Sequence, residues 1–287
     1  MTIIITHPGS AHLDDFLSTC LVLSRAGDIE EVHRREPTQE EINDPSIWKL
    51  DVGDMHEPDL KCYDHHQYAM NDCTLSLLLK EWGLLEKALT VHTWLKIAIA
   101  NDVGGAREVT KILNISYTAI ECLSSYVERT VLNLFQKQKT FTKGTALFSL
   151  MNIIGRRFFT EIDEYFTLRE ALEGKIEFLR IKKVPIVSCY KDFPFSRTLV
   201  RLLNEKKREV FHDEKGGIAI YPNIRPPGTI ALSRYHDDKR VDFTRISHYE
   251  KVKFAHPQGF FASLEPLSEY ELEQYIKDAI VGKDNSS

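Results

Sequence analysis

Apolar residues in the first hundred positions fall into short runs separated by amphipathic stretches. Ile3–Thr6 is β-branched and reads as a buried strand. Asp14–Ala26 predicts a helix, with acidic residues in its first turn and Gly27 as its stop. Glu31–Arg34, Ile47–Val52 and Lys61–Tyr63 predict three more short strands, and Leu75–Trp82 and Val91–Asn101 two helices. Strand and helix in this alternation predict a mainly parallel sheet with helices on its faces.

The middle of the chain changes period. Met151, Ile154, Phe158, Ile162 and Tyr165 recur at steps of three and four, and Leu172, Ile176 and Leu179 extend the stripe. The pattern predicts one long amphipathic helix, or two in series, breakable at Gly155 and Gly174 and ended by Pro185. Beyond it, Ile186–Cys189, Gly217–Tyr221, Ile230–Ser233 and Val252–Phe254 read as strands punctuated by Pro222, Pro226, Pro227 and Gly228. Leu267–Val281 reads as a last helix, and Gly282 to Ser287 as a frayed tail. The expected organisation is an α/β domain over residues 1–180 that ends in a linking helix, followed by a smaller α/β domain over residues 181–287.

Composition is that of an ordinary globular protein, 43% apolar and 28% charged. No stretch is long and apolar enough for a membrane span, and the start of the chain lacks the pattern of a signal peptide. Five cysteines, Cys20, Cys62, Cys73, Cys122 and Cys189, are scattered without a CxxC pair. They are read as reduced, in the cytoplasm or another reducing intracellular compartment. A net charge of −5 gives no bulk basic face for duplex DNA.

Acidic and histidine clusters follow the predicted strands, at the edge where open parallel sheets bind ligands. THPGSAHLDD carries His7, His12, Asp14 and Asp15; helix capping accounts for an aspartate there but not for two histidines. Asp51 in KLDVGD reads alone as turn chemistry, and Asp54 more so. Asp64, His65 and His66 in CYDHHQ form an uncommon strand ending. Neutral imidazole binds metal through one nitrogen while a carboxylate such as Asp64 holds the other. Asp102, after an apolar helical run and before two glycines, is poorly placed for a carboxylate unless a cation is near, and an exit turn is an equal reading. Together these residues are too many for one hydrolytic ion. They suit two ions of the Mn²⁺ type about 3.5–4 Å apart, with a bridging carboxylate and an activated water that attacks phosphorus.

The order HxxxxHxDD, DVG, DHHQ and a later Asp resembles the DHH phosphoesterase superfamily, and more closely its melanocyte proliferating gene 1 (Myg1-like) family. YP at Tyr221–Pro222 and FAHPQGFFAS around His256 extend the resemblance toward the other end. It implies a DHH-type domain with a mainly parallel sheet, a long linking helix and a smaller substrate-binding domain. It also implies a site in the cleft between them and a metal-dependent 3′-to-5′ exonuclease acting on RNA. By position it implies His7, His12, Asp14, Asp51, His65 and Asp102 as metal ligands. Asp51, His65 and His66 would then be catalytic, with His66 facing the phosphate. His256 and Gly259 would belong to the substrate motif, and Arg225 and Arg234 are looser phosphate contacts. Ala11, Asp15, Asp54 and Ala255 depart from the family pattern without removing a ligand.

The function expected is therefore a phosphoesterase using two Mn²⁺, with Mg²⁺ as the alternative, to cleave RNA or a short oligonucleotide by two-metal water activation. It would have no membrane partner, and a homo-oligomer is an open possibility. A pyrophosphatase-like hydrolase of small phosphoesters and a non-catalytic nucleotide-binding protein on the same fold are the competing readings.

Overall fold

Ile4 and Ile5 are fully buried in the central strand of the first sheet, as their β-branched run requires. The computed structural model describes residues 2–67, 71–123, 125–191 and 193–281, so the tail expected to fray, residues 282–287, lies outside the described residues. The chain divides into two units, Met1–Asp163 and Glu164–Ser287. The division falls inside the long helix.

The first unit holds β1 (Thr2–Thr6), α1 (Leu13–Ala26), β2 (Ile29–Arg34), α2 (Gln39–Ile42), β3 (Trp48–Leu50), β4 (His56–Glu57) and β5 (Cys62–Tyr63). Then follow α3 (Thr74–Glu81), α4 (Leu85–Val91), α5 (Leu95–Leu113), α6 (Tyr117–Leu123), α7 (Tyr126–Lys137), β6 (Thr140–Thr142) and the start of α8 (Ala146–Ala171). The sheet order is β4-β5-β3-β1-β2-β6. β1 runs parallel to β2 and β3, and β3 parallel to β5, while the edge strands β4 and β6 are antiparallel. The mainly parallel sheet is thus as the alternation of elements implies. Its consequence is that β1, β3 and β5 all end at the same edge, and the loops carrying His7, Asp51 and Asp64 leave from there.

Two helical expectations need correction. The helix expected over Val91–Asn101 is two helices: α4 stops at Val91, and α5 starts at Leu95 and runs to Leu113 with a kink at Gly105. Gly155 does not break α8. It faces α1, where a Cβ would collide with the Cys20 carbonyl oxygen, so the glycine permits two helices to approach closely.

The apolar stripe also does not continue as helix through Ile176 and Leu179. α8 ends at Ala171, and the chain forms a hairpin of β7 (Glu177–Ile181) and β8 (Val184–Ser188). Lys182 and Lys183, both at positive φ, form its two-residue turn. Pro185 sits inside β8 opposite Arg180 and ends no helix. Leu179 pairs across the ladder with Ile186, so alternation in two adjacent strands outweighs a chance spacing of three.

The second unit continues with α9 (Arg197–Val210), β9 (Ile218–Pro222), β10 (Ile230–Arg234), β11 (Val252–Ala255), β12 (Phe261–Leu264) and α10 (Glu269–Ala279). Its sheet order is β11-β12-β10-β9-β8-β7, antiparallel except for the β8–β9 pair, which α9 connects. Ile186, Ile218, Ile220 and Leu232 pack with Leu272 and Ile276 of α10 on one face. α9 buries Leu199, Leu202 and Leu203. No helix among the described residues is long and apolar enough to cross a membrane.

Candidate metal centre

Asp51 follows β3 in the left-handed backbone region, at φ 60°, a conformation that Asp tolerates better than most residues. Its amide donates to the Tyr63 carbonyl at 2.8 Å, which ties the end of β3 to that of β5. Lys49, fully buried, donates its Nζ to the carbonyls of Asp44, Ile47 and Leu60 and so holds the strand that presents Asp51. Asp51 is buried, with its carboxylate toward the loop after β5.

That loop places His65 at the centre of the cluster. Its Nε2 stands 3.3 Å from Asp51 Oδ1, 3.3 Å from Asp102 Oδ2 and 3.9 Å from Asp14 Oδ2. Two groups of side chains could each hold an ion with donor atoms within 4.8 Å of one another: Asp51, His65 and His66, and Asp14, His65 and Asp102. His65 belongs to both. His12 flanks the second group, its Nδ1 3.9 Å from Asp102 Oδ1. The His7 ring lies 6.2 Å from the rings of both His12 and His66.

Each remaining ligand candidate is held by local structure. Asp14, in the first turn of α1, accepts from the Thr74 and Leu75 amides at 3.0 and 2.7 Å, the free N–H groups at the start of α3. Asp102 lies in α5 shortly before the kink at Gly105, so the helical dipoles are interrupted beyond it. Asp64 accepts from the His66 amide and stands 2.8 Å from His66 Nδ1, the carboxylate–imidazole pairing expected of it. Gly9 follows His7 closely enough that a Cβ there would collide with the imidazole. Asp15 belongs elsewhere: it accepts from the His12 amide at 2.7 Å as a helix cap and pairs with Arg34 Nη2 at 3.2 Å.

Electrostatics mark the cluster as short of positive charge. Burial raises Asp14 well above the usual carboxylate range, and the charges of Asp51 and Asp102 raise it further. Burial likewise raises Asp102. The hydrogen bond to Asp51 lifts His65 to about 9, with the neighbouring aspartates adding to it. Carboxylates that crowd one another in a buried place are stabilised by cations. The residues fit divalent ions: the donors are oxygen and imidazole nitrogen, and His7 Nδ1 is buried without a hydrogen-bond partner.

Two contributors escape a reading by motif. Thr74 donates its Oγ1 to the Tyr63 carbonyl at 3.1 Å, stands 3.4 Å from Asp51 Oδ1 and gives its amide to Asp14, so it braces two aspartates at once. Arg34 is buried, donates to the Gly9 carbonyl at 3.0 Å and stacks over Phe135. A threonine opening a helix was the available signal for the first. Nothing local marks the second.

The candidates of the second unit are less concentrated. Arg234 ends β10, and its amide donates to Phe260, beside Gly259; the His256 amide donates to Phe261. These three therefore gather at one end of the sheet. Arg225 lies in the loop between β9 and β10, at the opposite end of β10, and is not brought to them. The guanidinium of Arg234 is engaged by the Val241 carbonyl and Asp237. The His256 ring packs 4.0 Å from that of Phe260, and its Nδ1 accepts from the Gln258 amide.

Residues 3–78 match the model of an uncharacterised protein family, UPF0160, MYG1_exonuc. This segment is MYG1-like. The MYG1-type segment runs from β1 into α3 and contains His7, His12, Asp14, Asp51, His65 and His66; Asp102 comes from outside it. No curated protein matches the chain. Two solved structures are similar over 96% of it: RecJ from Thermus thermophilus in complex with Mn²⁺ (11% identity, TM-score 0.30) and in complex with Mg²⁺ (12%, 0.32). The chain spans about half the length of these structures, 50% and 48%.

Proposed function

We propose that the protein is a metal-dependent phosphoesterase, acting as a 3′–5′ exonuclease or oligonucleotide phosphodiesterase on RNA or another short nucleic acid. The observation that carries this reading is the convergence of Asp14, Asp51 and Asp102 on the single Nε2 of His65. The match of residues 3–78 to the MYG1_exonuc family supports it.

His7, His12, Asp14, Asp51, His65 and Asp102 would hold two divalent ions, Mn²⁺ or Mg²⁺. When bound, such ions polarise phosphate oxygens and make an attacking water more acidic. The protein's own groups prepare the place. Thr74 fixes the Asp51 carboxylate, and the start of α3 fixes that of Asp14. Asp64 holds His66 through Nδ1 and so orients the ring, leaving Nε2 free to meet a phosphate oxygen. His66 is half exposed and accessible to a substrate. His256, Gly259 and Arg234 would position the remainder of the substrate. The net charge of −5 favours a short substrate over a long polyanion.

The test is incubation of the purified protein with Mn²⁺ and labelled RNA, DNA, dinucleotides and pyrophosphate. Shortening of RNA or dinucleotides from the 3′ end, abolished by chelator and by Asp51→Asn, is the expected result. Cleavage of pyrophosphate alone would replace this reading with that of a small-phosphoester hydrolase. Nucleotide binding without cleavage of any substrate would make the protein a non-catalytic binder.

A further inference from the structure

The second unit carries a cavity of about 690 Å³ on the α9 side of its sheet. That volume suits a ligand of nucleotide size. Its wall includes Arg197, Arg201 and Arg208 from α9 and Arg234 from β10, against a single glutamate, Glu205. Three of these arginines already have carboxylate partners: Arg201 with Glu205, Arg208 with Asp213 and Arg234 with Asp237. Arg197 has no ion pair among the described residues.

Arg197 occupies the first turn of α9, where the helix dipole disfavours a cation and where no acidic side chain is present. The Ser196 hydroxyl satisfies only the Leu199 amide, so N–H groups of that turn remain available beside the guanidinium. Backbone donors, dipole and Arg197 all favour an anion at this point. The wall also has an aromatic part: Phe195 and Tyr221, with ring centroids 6.1 Å apart, and Tyr235. Tyr235 is buried, and the Arg234 guanidinium is held by the Val241 carbonyl and Asp237.

We infer that this cavity is a binding site for a phosphomonoester that carries an aromatic ring, a nucleoside monophosphate in chemical class. The phosphate sits at Arg197 and the α9 N-terminus, and the base lies against Phe195 and Tyr221. This inference is independent of the metal centre. The two parts of the ligand are recognised by different residues, so they can be removed separately. A catalytic product and a regulatory nucleotide would share this chemistry. They differ in whether occupancy changes turnover.

The probe is AMP, with inorganic phosphate and adenosine as its two halves, titrated by calorimetry against the full chain in excess chelator so that the metal centre does not contribute. AMP is expected to bind, and Arg197→Gln and Phe195→Leu each to weaken it on the order of tenfold. Phosphate should lose affinity only in Arg197→Gln, and adenosine only in Phe195→Leu. Arg197 is exposed and Phe195 partly buried just before α9, and circular dichroism on the same samples checks that the variants fold. Absence of AMP binding at millimolar concentration overturns the inference. So does binding that both variants leave intact, or that appears only with Mn²⁺ and disappears in Asp51→Asn. With a substrate established, AMP that inhibits the wild type but not Arg197→Gln identifies a product or substrate subsite; AMP that stimulates only the wild type identifies a regulatory one.

Discussion

Asp102 Oδ2 stands 3.3 Å from His65 Nε2, although one residue lies within a helix and the other in the loop after a strand outside that helix. The same nitrogen is 3.3 Å from Asp51, so His65 is the point where three separate chain segments meet. If ions occupy this point, the carboxylate shared between them matters most. Asp51→Asn is expected to reduce bound Mn²⁺, measured by elemental analysis after desalting, more than Asp14→Asn or Asp102→Asn. Asp54→Asn is the control, since Asp54 takes part through its amide to Asp64. Full metal content in Asp51→Asn would remove the bridging role.

Thr74 supports the cluster without being a ligand candidate. Thr74→Val removes a buried hydroxyl that donates to the Tyr63 carbonyl and faces Asp51. Stability should fall by about 1–3 kcal/mol, since a buried acceptor is left unmatched. Metal affinity should fall about tenfold to a hundredfold, as for other groups that orient ligands. Thr74→Ser should restore both. A Thr74→Val protein with unchanged metal affinity would show that Asp51 needs no brace.

His256→Ala separates substrate positioning from folding. The ring packs on Phe260 at the turn between β11 and β12, only partly buried. The variant should keep its metal and its melting temperature while kcat/KM falls on the order of tenfold to a thousandfold. A lower melting temperature with unchanged kcat/KM per folded molecule would make His256 a packing residue. His66→Ala should resemble His256→Ala in rate, with metal content largely kept.

Gly155→Ala tests the contact between α8 and α1. The added methyl meets the Cys20 carbonyl oxygen, which is backbone and cannot turn away. The two helices must separate, and the expected loss is about 3 kcal/mol or more, at the upper end for overpacking. Chemical denaturation measures it. An unchanged midpoint would mean that α8 shifts freely over α1.

The residue pattern determined a good deal by itself. Short runs ending in His7, Asp51 and Asp64–His65–His66, the first of them β-branched, announce strands whose polar ends share an edge, because parallel strands all finish on the same side. Asp64 as the partner of His66 is also legible, since a carboxylate beside two histidines has few other uses. Other features needed tertiary structure. Asp102 is an exit turn or a ligand with equal merit until the fold brings α5 to β5. Thr74 and Arg34 act through groups distant in sequence, and no local period records that. Leu179 fits a helical stripe locally and becomes strand only because β8 offers Ile186 as its cross-strand partner, while Ile176 falls in the connection before β7. The arginine-lined cavity beneath α9 has no motif: Arg197 and Arg234 lie on different elements, and a cavity exists only once a helix has settled on a sheet. Sequence order carries what neighbours along the chain impose, and long-range packing decides which of the remaining alternatives has a partner.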